Sequence, residues 1–400
     1  LEKINFGGKV LQDYKSVSSR IGAMRFFGES ILNGLVGGSV MARKEMYKFR
    51  ELAMVFKIQD TAALLHKVCD QQLANLPDAF MRLSGRYEKI QNNGWIRSVF
   101  HTGVMAVWQA THDKKYLEAA MKWAEANCWL PGPRTRLADD HCAGQIYTEL
   151  YLVYKDNKMI RPIRETFDRM IADPRKGREE WWWCDALFMA PPVLARLSTA
   201  TGDLRYLNFM NSLWWDTHEF LYDKECHLFF RDKHFIVKAD GSGPREKKGQ
   251  KIFWSRGNAW VMAGIVRVLQ FMPKNYPDRK MFIQLLKEMS EAISHLQQTD
   301  GLWRASLLDA DNFPAPETSG TALFCYAIAW GINNGILPRK IYMPVVENAW
   351  RGLVGCIDKN GKLGWVQLPA DGARAVKETD SMEYGSGAFL LAGSEIVKFQ

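Results

Sequence analysis

The feature that most restricts the fold of this chain is a degenerate repeat of helix pairs. The run Ala110-Thr111-His112-Asp113-Lys114-Lys115-Tyr116-Leu117 returns as Thr199-Ala200-Thr201-Gly202-Asp203-Leu204-Arg205-Tyr206-Leu207, with looser copies at 154–160, 276–282 and 336–342. Each copy reads as a tight turn followed by an acidic or proline-marked helix start. The helix before each turn is the more apolar and the one after it the more charged. Apolar faces at helical spacing precede several of the turns: Phe100, Val104, Val107 and Trp108; Ile146, Leu150, Val153 and Tyr154; Leu323, Tyr326, Ala327 and Trp330. Such pairs cannot bury their apolar faces singly, so they must stack on one another. Five pairs are legible between Trp95 and Cys356. A sixth closes a ring if a helix near 48–73 pairs with the last, near 386–397. The expected fold is an all-α toroid of about twelve helices, apolar inside and charged outside. Glycine and aromatic loops at 222–229, 300–304 and 360–365 would stand together on one rim, some as short hairpins. No linker interrupts the series, which places one barrel domain over 46–400 behind an N-terminal extension over 1–45.

Composition removes several functions. Of 400 residues, 47% are hydrophobic and 24% charged, as in ordinary globular proteins. The net charge of +9 favours polyanions as partners. The basic residues are scattered, however, and the densest cluster, 245–251, lies in a glycine-rich loop, which argues against nucleic acid. The seven cysteines form no closely spaced pair and no zinc pattern, so free thiols are expected and no metal. The stretch 24–42 is too polar to span a membrane. A helical core accounts for more than half of the aromatic residues, and fifteen tryptophans also suit a cleft that stacks on sugar rings.

Chemistry-bearing residues sit at the expected starts of the inner helices. Asp139 heads the run Asp139-Asp140-His141-Cys142-Ala143-Gly144-Gln145; an N-cap is the commoner use of such an aspartate. Asp185 is a lone carboxylate after Trp181, Trp182 and Trp183 and before an apolar helix. Burial there would raise its pKa and keep it protonated for acid catalysis, with an N-cap again the alternative. Trp254, Arg256 and Trp260 could supply stacking faces and a cation for a substrate carboxylate. Arg256 could equally tie helix ends together. Glu317-Thr318-Ser319-Gly320 and Glu383-Tyr384-Gly385-Ser386-Gly387 mark two further helix starts.

In this order the motifs resemble glycoside hydrolase family 105, the unsaturated rhamnogalacturonyl hydrolases and their relatives. The run Trp183-Cys184-Asp185-Ala186-Leu187-Phe188-Met189 is similar to the family's W-x-D-x-L-[YF]-M signature. The likeness continues through Asp139 with Gly144, Phe253-Trp254-Ser255-Arg256 with Trp260, Glu317-Thr318-Ser319-Gly320, and Gly385-Ser386-Gly387-Ala388-Phe389. It implies an (α/α)6 barrel without cofactor or metal, acting on an acidic oligosaccharide whose terminal uronic acid is 4,5-unsaturated, the product that pectin-type lyases leave. By the same resemblance Asp185 is the general acid and base and Asp139 the second active-site carboxylate. Trp254, Arg256, Trp260 and, more weakly, Trp95 hold the sugar, and Arg231 stands where some members place a histidine. The substrate would be a vinyl ether, protonated at C4 and attacked by water at C5, with one carboxylate serving as acid and then base. Rival readings are a sugar epimerase, which would draw on His101 or His141, a lyase on a similar toroid, and a non-catalytic oligosaccharide-binding protein. The expected state is a monomer without a membrane span. The oligosaccharide diet points to the periplasm and the unpaired thiols to the cytoplasm.

Overall fold

The computed structural model describes residues 60–82 and 85–399, which belong to the compact unit Ile58–Gln400. The expected extension over 1–45, the stretch 24–42 and the first part of the helix near 48 lie outside the described residues.

The repeated turn phrase has one physical basis. At three of its copies a residue in the left-handed region ends one helix, and the next residue, an aspartate, caps the following one. His112 (φ 59°) precedes Asp113, whose side chain accepts from the Lys115 amide. Gly202 (φ 72°) precedes Asp203, which accepts from the Arg205 amide. Lys155 (φ 59°) precedes Asp156, which accepts from the Lys158 amide. Satisfying the orphan groups of both helix ends within two residues allows a sharp reversal. At the last two copies Pro277 precedes the cap residue Asp278, and Pro338 is itself the cap.

These turns join α1 (Trp95–Thr111) to α2 (Lys114–Ala126), α3 (Gly144–Tyr154) to α4 (Arg161–Ala172), and α5 (Pro191–Thr201) to α6 (Leu204–Leu221). They likewise join α7 (Ser255–Leu269) to α8 (Arg279–Ser294), and α9 (Thr318–Asn333) to α10 (Arg339–Gly355), while α11 (Glu383–Ile396) closes the chain. The odd-numbered helices form the inner ring. Every residue of α7 is buried, as are the first fifteen of α9, which a helix walled in on all sides requires. The outer helix α4 buries only Ile163, Thr166, Phe167 and Met170, a single stripe at helical spacing. Each inner helix packs on the next, and α11 packs on α1, so the ring is closed. Closure depends on two glycines: a Cβ on Gly103 would stand 2.6 Å from the Gly387 carbonyl oxygen, and one on Gly387 would stand 2.5 Å from that of Val99.

A helix over 60–74 completes the sixth pair with α11. The Ser386 hydroxyl donates to Gln72 Oε1 at 2.7 Å, and Gly393 leaves room for Leu65. All six inner helices enter from the long-loop rim and leave at the short-turn rim. Two small antiparallel hairpins stand on the long-loop rim. One, β1 (Ala79–Met81) with β2 (Tyr87–Lys89), was not expected; the other, β3 (Tyr222–Asp223) with β4 (Leu228–Phe229), was. One expected inner face needs correction. Val153 and Tyr154 are 43% and 47% exposed, because α3 ends there at the short-turn rim, past its neighbours.

Candidate active site

The long-loop rim holds a cavity of about 380 Å³, within the range of small-ligand sites. Its floor is made by Trp95 and Ile96 at the start of α1, by Asp139, and by Trp183, Asp185 and Met189. Arg231 and Arg256 close the sides. Its mouth is formed by Phe80, Arg82 and Glu88 of the first hairpin and by Pro369, Ala370, Asp371 and Arg374 of one long loop.

Neither aspartate makes the side-chain cap bond that was the commoner reading for Asp139 and the alternative for Asp185. Asp139 lies inside a short helix, Ala138–His141, that breaks before α3 begins, and its cap position is Leu137. Asp185 occupies the cap position of Ala186–Met189 but has helical torsions, and its side chain accepts no cap bond. Both carboxyls are therefore free to face the cavity. The neighbouring Asp140 is different in kind. It is 1% exposed and accepts from the Arg134 amide and guanidinium, at 2.7 to 3.0 Å, which fixes the loop that presents Asp139.

The environment of Asp185 is assembled by backbone pairing. The Cys184 amide donates to the Arg231 carbonyl at 2.8 Å, and Trp183 bridges to Asp232. Arg231 is thereby held beside Asp185, with Nε 3.7 Å from its Oδ2. The same guanidinium donates to Asp232 Oδ2 at 2.6 Å and lies over the Trp182 ring. Its Nε is buried and has no hydrogen-bond partner among the described residues. Burial pushes the Asp185 carboxyl above its ordinary range, while Arg231 and Arg256 pull it back. Asp139 is pushed up to about 7, first by burial and then by the charges of Asp185 and Asp140. The two carboxyls oppose each other's ionisation in one cavity, so each charge makes the other harder to form.

The remaining expected sugar-binding residues divide. Trp95 lines the cavity and stacks on Tyr384 at 5.0 Å between ring centroids. Trp254 and Trp260 do not reach it, being 2% and 1% exposed. Trp254 donates from Nε1 to Gln367 Oε1, and Trp260 packs against Phe188, Trp95 and Tyr384. Arg256 lines the cavity, yet it serves the tying role that the sequence left open. It donates to the carbonyls of Gln367 and Leu368 and to the Tyr384 hydroxyl. Glu317 caps α9 through the Ser319 and Gly320 amides and also accepts from the Gln367 amide. The 365–374 loop is thus fastened at Gln367 from three sides.

The first hairpin is fastened similarly. Arg97 donates to both oxygens of Glu383 at 2.9 and 3.0 Å and to the Pro77 carbonyl at 2.6 Å. Phe80, Arg82, Glu88, Asp371 and Arg374 were not foreseen; they lie in loops without periodicity, and only their distance from the helical pattern marked them. The two histidines that an epimerase would need are core residues. His101 is lowered to about 3 and His141 to about 4, each by burial, and each bonds a backbone carbonyl. Among the described residues no group of three His, Cys, Asp or Glu side chains could hold a metal ion, and all seven cysteines are free.

Comparison with known proteins agrees with this geometry. Residues 64–400 match the model describing Glycosyl Hydrolase Family 88. An unsaturated 3S-rhamnoglycuronyl hydrolase of Formosa agariphila is 36% identical over 76% of this chain and 85% of its own length. A protein of the same name from Alteromonas sp. is 35% identical over 76% and 77%. The solved structure of a glycosyl hydrolase family 88 protein from Bacteroides vulgatus superposes with a TM-score of 0.78 at 30% identity, covering 86% of this chain and 99% of that one. The resemblance read from the ordered motifs is borne out, and with it the toroid: this chain belongs to glycosyl hydrolase family 88.

Proposed function

We propose that this chain releases a 4,5-unsaturated uronic acid from the non-reducing end of lyase-generated oligosaccharides. The observation that carries the reading is a pair of carboxyls, Asp185 and Asp139, that line one cavity with Arg231 and Arg256 and are both raised by burial. A saturated glycoside would need an acid and a nucleophile or base on opposite faces of the anomeric carbon. A vinyl ether needs only a proton at C4 and then water at C5, which one carboxyl can manage in turn.

In this mechanism the substrate carboxylate docks against Arg231, whose Nε faces Asp185 but has no hydrogen-bond partner among the described residues. Neutralising Arg231 weakens its pull on the ionised form of Asp185, so a proton settles on Asp185. Asp185 gives that proton to C4, and the ring oxygen stabilises the cation at C5. The carboxylate then takes a proton from water as its oxygen bonds C5. The hemiketal opens, the C5 oxygen becomes a ketone, and C1 releases the neighbouring sugar. Asp185 ends protonated, as it began. Asp139, when ionised, accepts from a sugar hydroxyl and opposes the loss of the Asp185 proton to solvent. Trp95 offers the ring a flat face. The two relatives are named for a 3S-rhamnoglycuronyl substrate, so a rhamnose neighbour is the first to test. No helix among the described residues is long and apolar enough to cross a membrane. The reading extends to action as a monomer, with the periplasm as its setting.

The test follows the ultraviolet absorbance of the conjugated C4=C5 bond in a panel of lyase-generated disaccharides. Loss of absorbance with release of the partner sugar supports the reading. Turnover by Asp185→Asn at the parent rate would remove Asp185 from its role.

A further inference from the structure

Arg231 stands between two carboxyls and hydrogen-bonds only one of them. Its Nη1 donates to Asp232 Oδ2 at 2.6 Å, whereas its Nε, 3.7 Å from Asp185 Oδ2, is too far for a hydrogen bond. A guanidinium beside a carboxylate ordinarily closes a fork of two parallel bonds on it. Such a fork on Asp185 would hold that carboxyl ionised, with no proton to give. It would also occupy Nε, the donor that a substrate carboxylate needs.

Asp232 is built to prevent this. It is 3% exposed, and its backbone pairs with Trp183, two residues before Asp185. Its Oδ1 accepts from the His234 amide at 2.8 Å and from His234 Nδ1 at 2.9 Å, which leaves Oδ2 for Arg231. Burial opposes the Asp232 charge, but the bonds from Arg231 and His234 outweigh it and hold the carboxyl below its ordinary range. The Trp182 ring lies against the guanidinium and limits how it can turn. The other groups that act on Asp185 are Arg256, Asp139 and the Cys184 thiol, the last 3.6 Å away. None of these three hydrogen-bonds Arg231 among the described residues, so Asp232 alone sets the guanidinium's aim.

We propose that Asp232 is a positioning residue for the reaction: by holding Nη1 it keeps Arg231 from closing on Asp185 and leaves Nε for the substrate carboxylate, with His234 steadying Asp232 in turn. The inference rests on the hydrolase reading above. It is tested in the parent, Asp232→Asn, Arg231→Gln, the double variant, His234→Ala and His234→Asn. Each is assayed by absorbance loss across pH on the unsaturated disaccharide that the parent cleaves fastest. The Asp185 carboxyl is titrated in each by carbon NMR, its signal assigned by its disappearance in Asp185→Asn. In Asp232→Asn the fork closes, so the alkaline limb of kcat/KM and the Asp185 midpoint should both fall by about one pH unit or more, and KM should rise. Arg231→Gln should move both the other way. In the double variant the midpoint should match that of Arg231→Gln alone, because Asp232 acts through the guanidinium. The His234 side chain is 73% exposed, so His234→Ala folds even if Asp232→Asn does not, and it should show the same changes in part. His234→Asn, whose amide can replace Nδ1, should restore them. An Asp185 midpoint unmoved in Asp232→Asn and in His234→Ala, as a merely structural role would give, overturns the inference while the hydrolase reading stands. So does an equal fall with and without Arg231. A parent that cleaves no unsaturated disaccharide overturns that reading and the inference with it.

Discussion

Asp139→Asn should inactivate the enzyme and at the same time make it more stable, but only at neutral and alkaline pH. The carboxyl rises from 3.8 to about 7 in the folded state because burial and two neighbouring carboxylates oppose its ionisation. At 1.36 kcal/mol per unit, a rise of about three units makes ionisation about 4 kcal/mol harder in the folded than in the unfolded chain. Because the side chain keeps part of its surface open to cavity water, about 2–4 kcal/mol is the figure to test. The sign follows from linkage. A carboxyl with a raised folded pKa contributes stability that is fully present below its unfolded pKa and is lost as pH rises through the folded value. The parent should therefore weaken progressively between about pH 4 and 7, whereas asparagine, which mimics the protonated acid, cannot ionise. Over about 340 residues, with an unfolding entropy of about 2.1 cal/mol/K per residue, the difference amounts to about 3–6 °C in Tm. The assay is thermal unfolding of both proteins at pH 4.5 and pH 8. The buried histidines titrate in both and cancel in the comparison. A variant no more stable than the parent at pH 8, or equally stabilised at both pH values, would refute the account of Asp139 as a carboxyl held against its charge.

Four further outcomes are expected. The kcat/KM of the parent should fall about tenfold per pH unit on the alkaline side of about 7, where the carboxyls lose the proton that acid catalysis needs. Arg231→Gln should move that limb to higher pH, since the arginine lowers both carboxyls; an unmoved limb in a pH–rate profile would sink the coupling. Arg256→Met should destabilise by roughly 1–3 kcal/mol in denaturant titration, because the half-buried Leu368 carbonyl loses its donor and the Gln367 carbonyl keeps only the Tyr384 hydroxyl. Gly103→Ala should cost more than about 1 kcal/mol despite alanine's better helix propensity, because the new methyl meets the rigid backbone of Gly387; a stabilised variant would show that α1 and α11 can part.

The ring was legible because it rests on periodicity and on caps, both of which are local. Asp113, Asp156 and Asp203 each follow a left-handed residue, and that two-residue grammar survives even where the surrounding sequence has drifted. Asp185 stood out because an aspartate after three tryptophans has few structural uses, and the structure places it on one cavity with Asp139. Trp254 and Trp260 were misplaced for a reason no single-chain pattern reveals: an aromatic at the start of an inner helix can turn toward the cavity or along the wall. Arg256 shows the same limit, since its partners Gln367, Leu368 and Tyr384 lie more than a hundred residues away. The mouth residues Arg82 and Arg374 belong to segments whose position is set by distant anchors, Arg97 and Glu317, and nothing nearby in the chain announces them.

That all six inner helices run the same way has an electrical consequence. Their peptide dipoles add, so the rim where they begin carries roughly half a positive charge per helix and the opposite rim the matching negative charge. The cavity that receives an anionic sugar lies at the positive rim, which lets carboxyls as crowded as Asp139 and Asp185 coexist with an acidic substrate. The negative rim is answered by cations. Arg196 donates to the Arg267 carbonyl, the half-buried Arg279 donates to those of Leu269 and Met272, and the buried Arg196 and Arg267 share the single carboxylate of Glu149. The barrel is therefore polarised from end to end, and the arginines farthest from the substrate balance the field that draws it in.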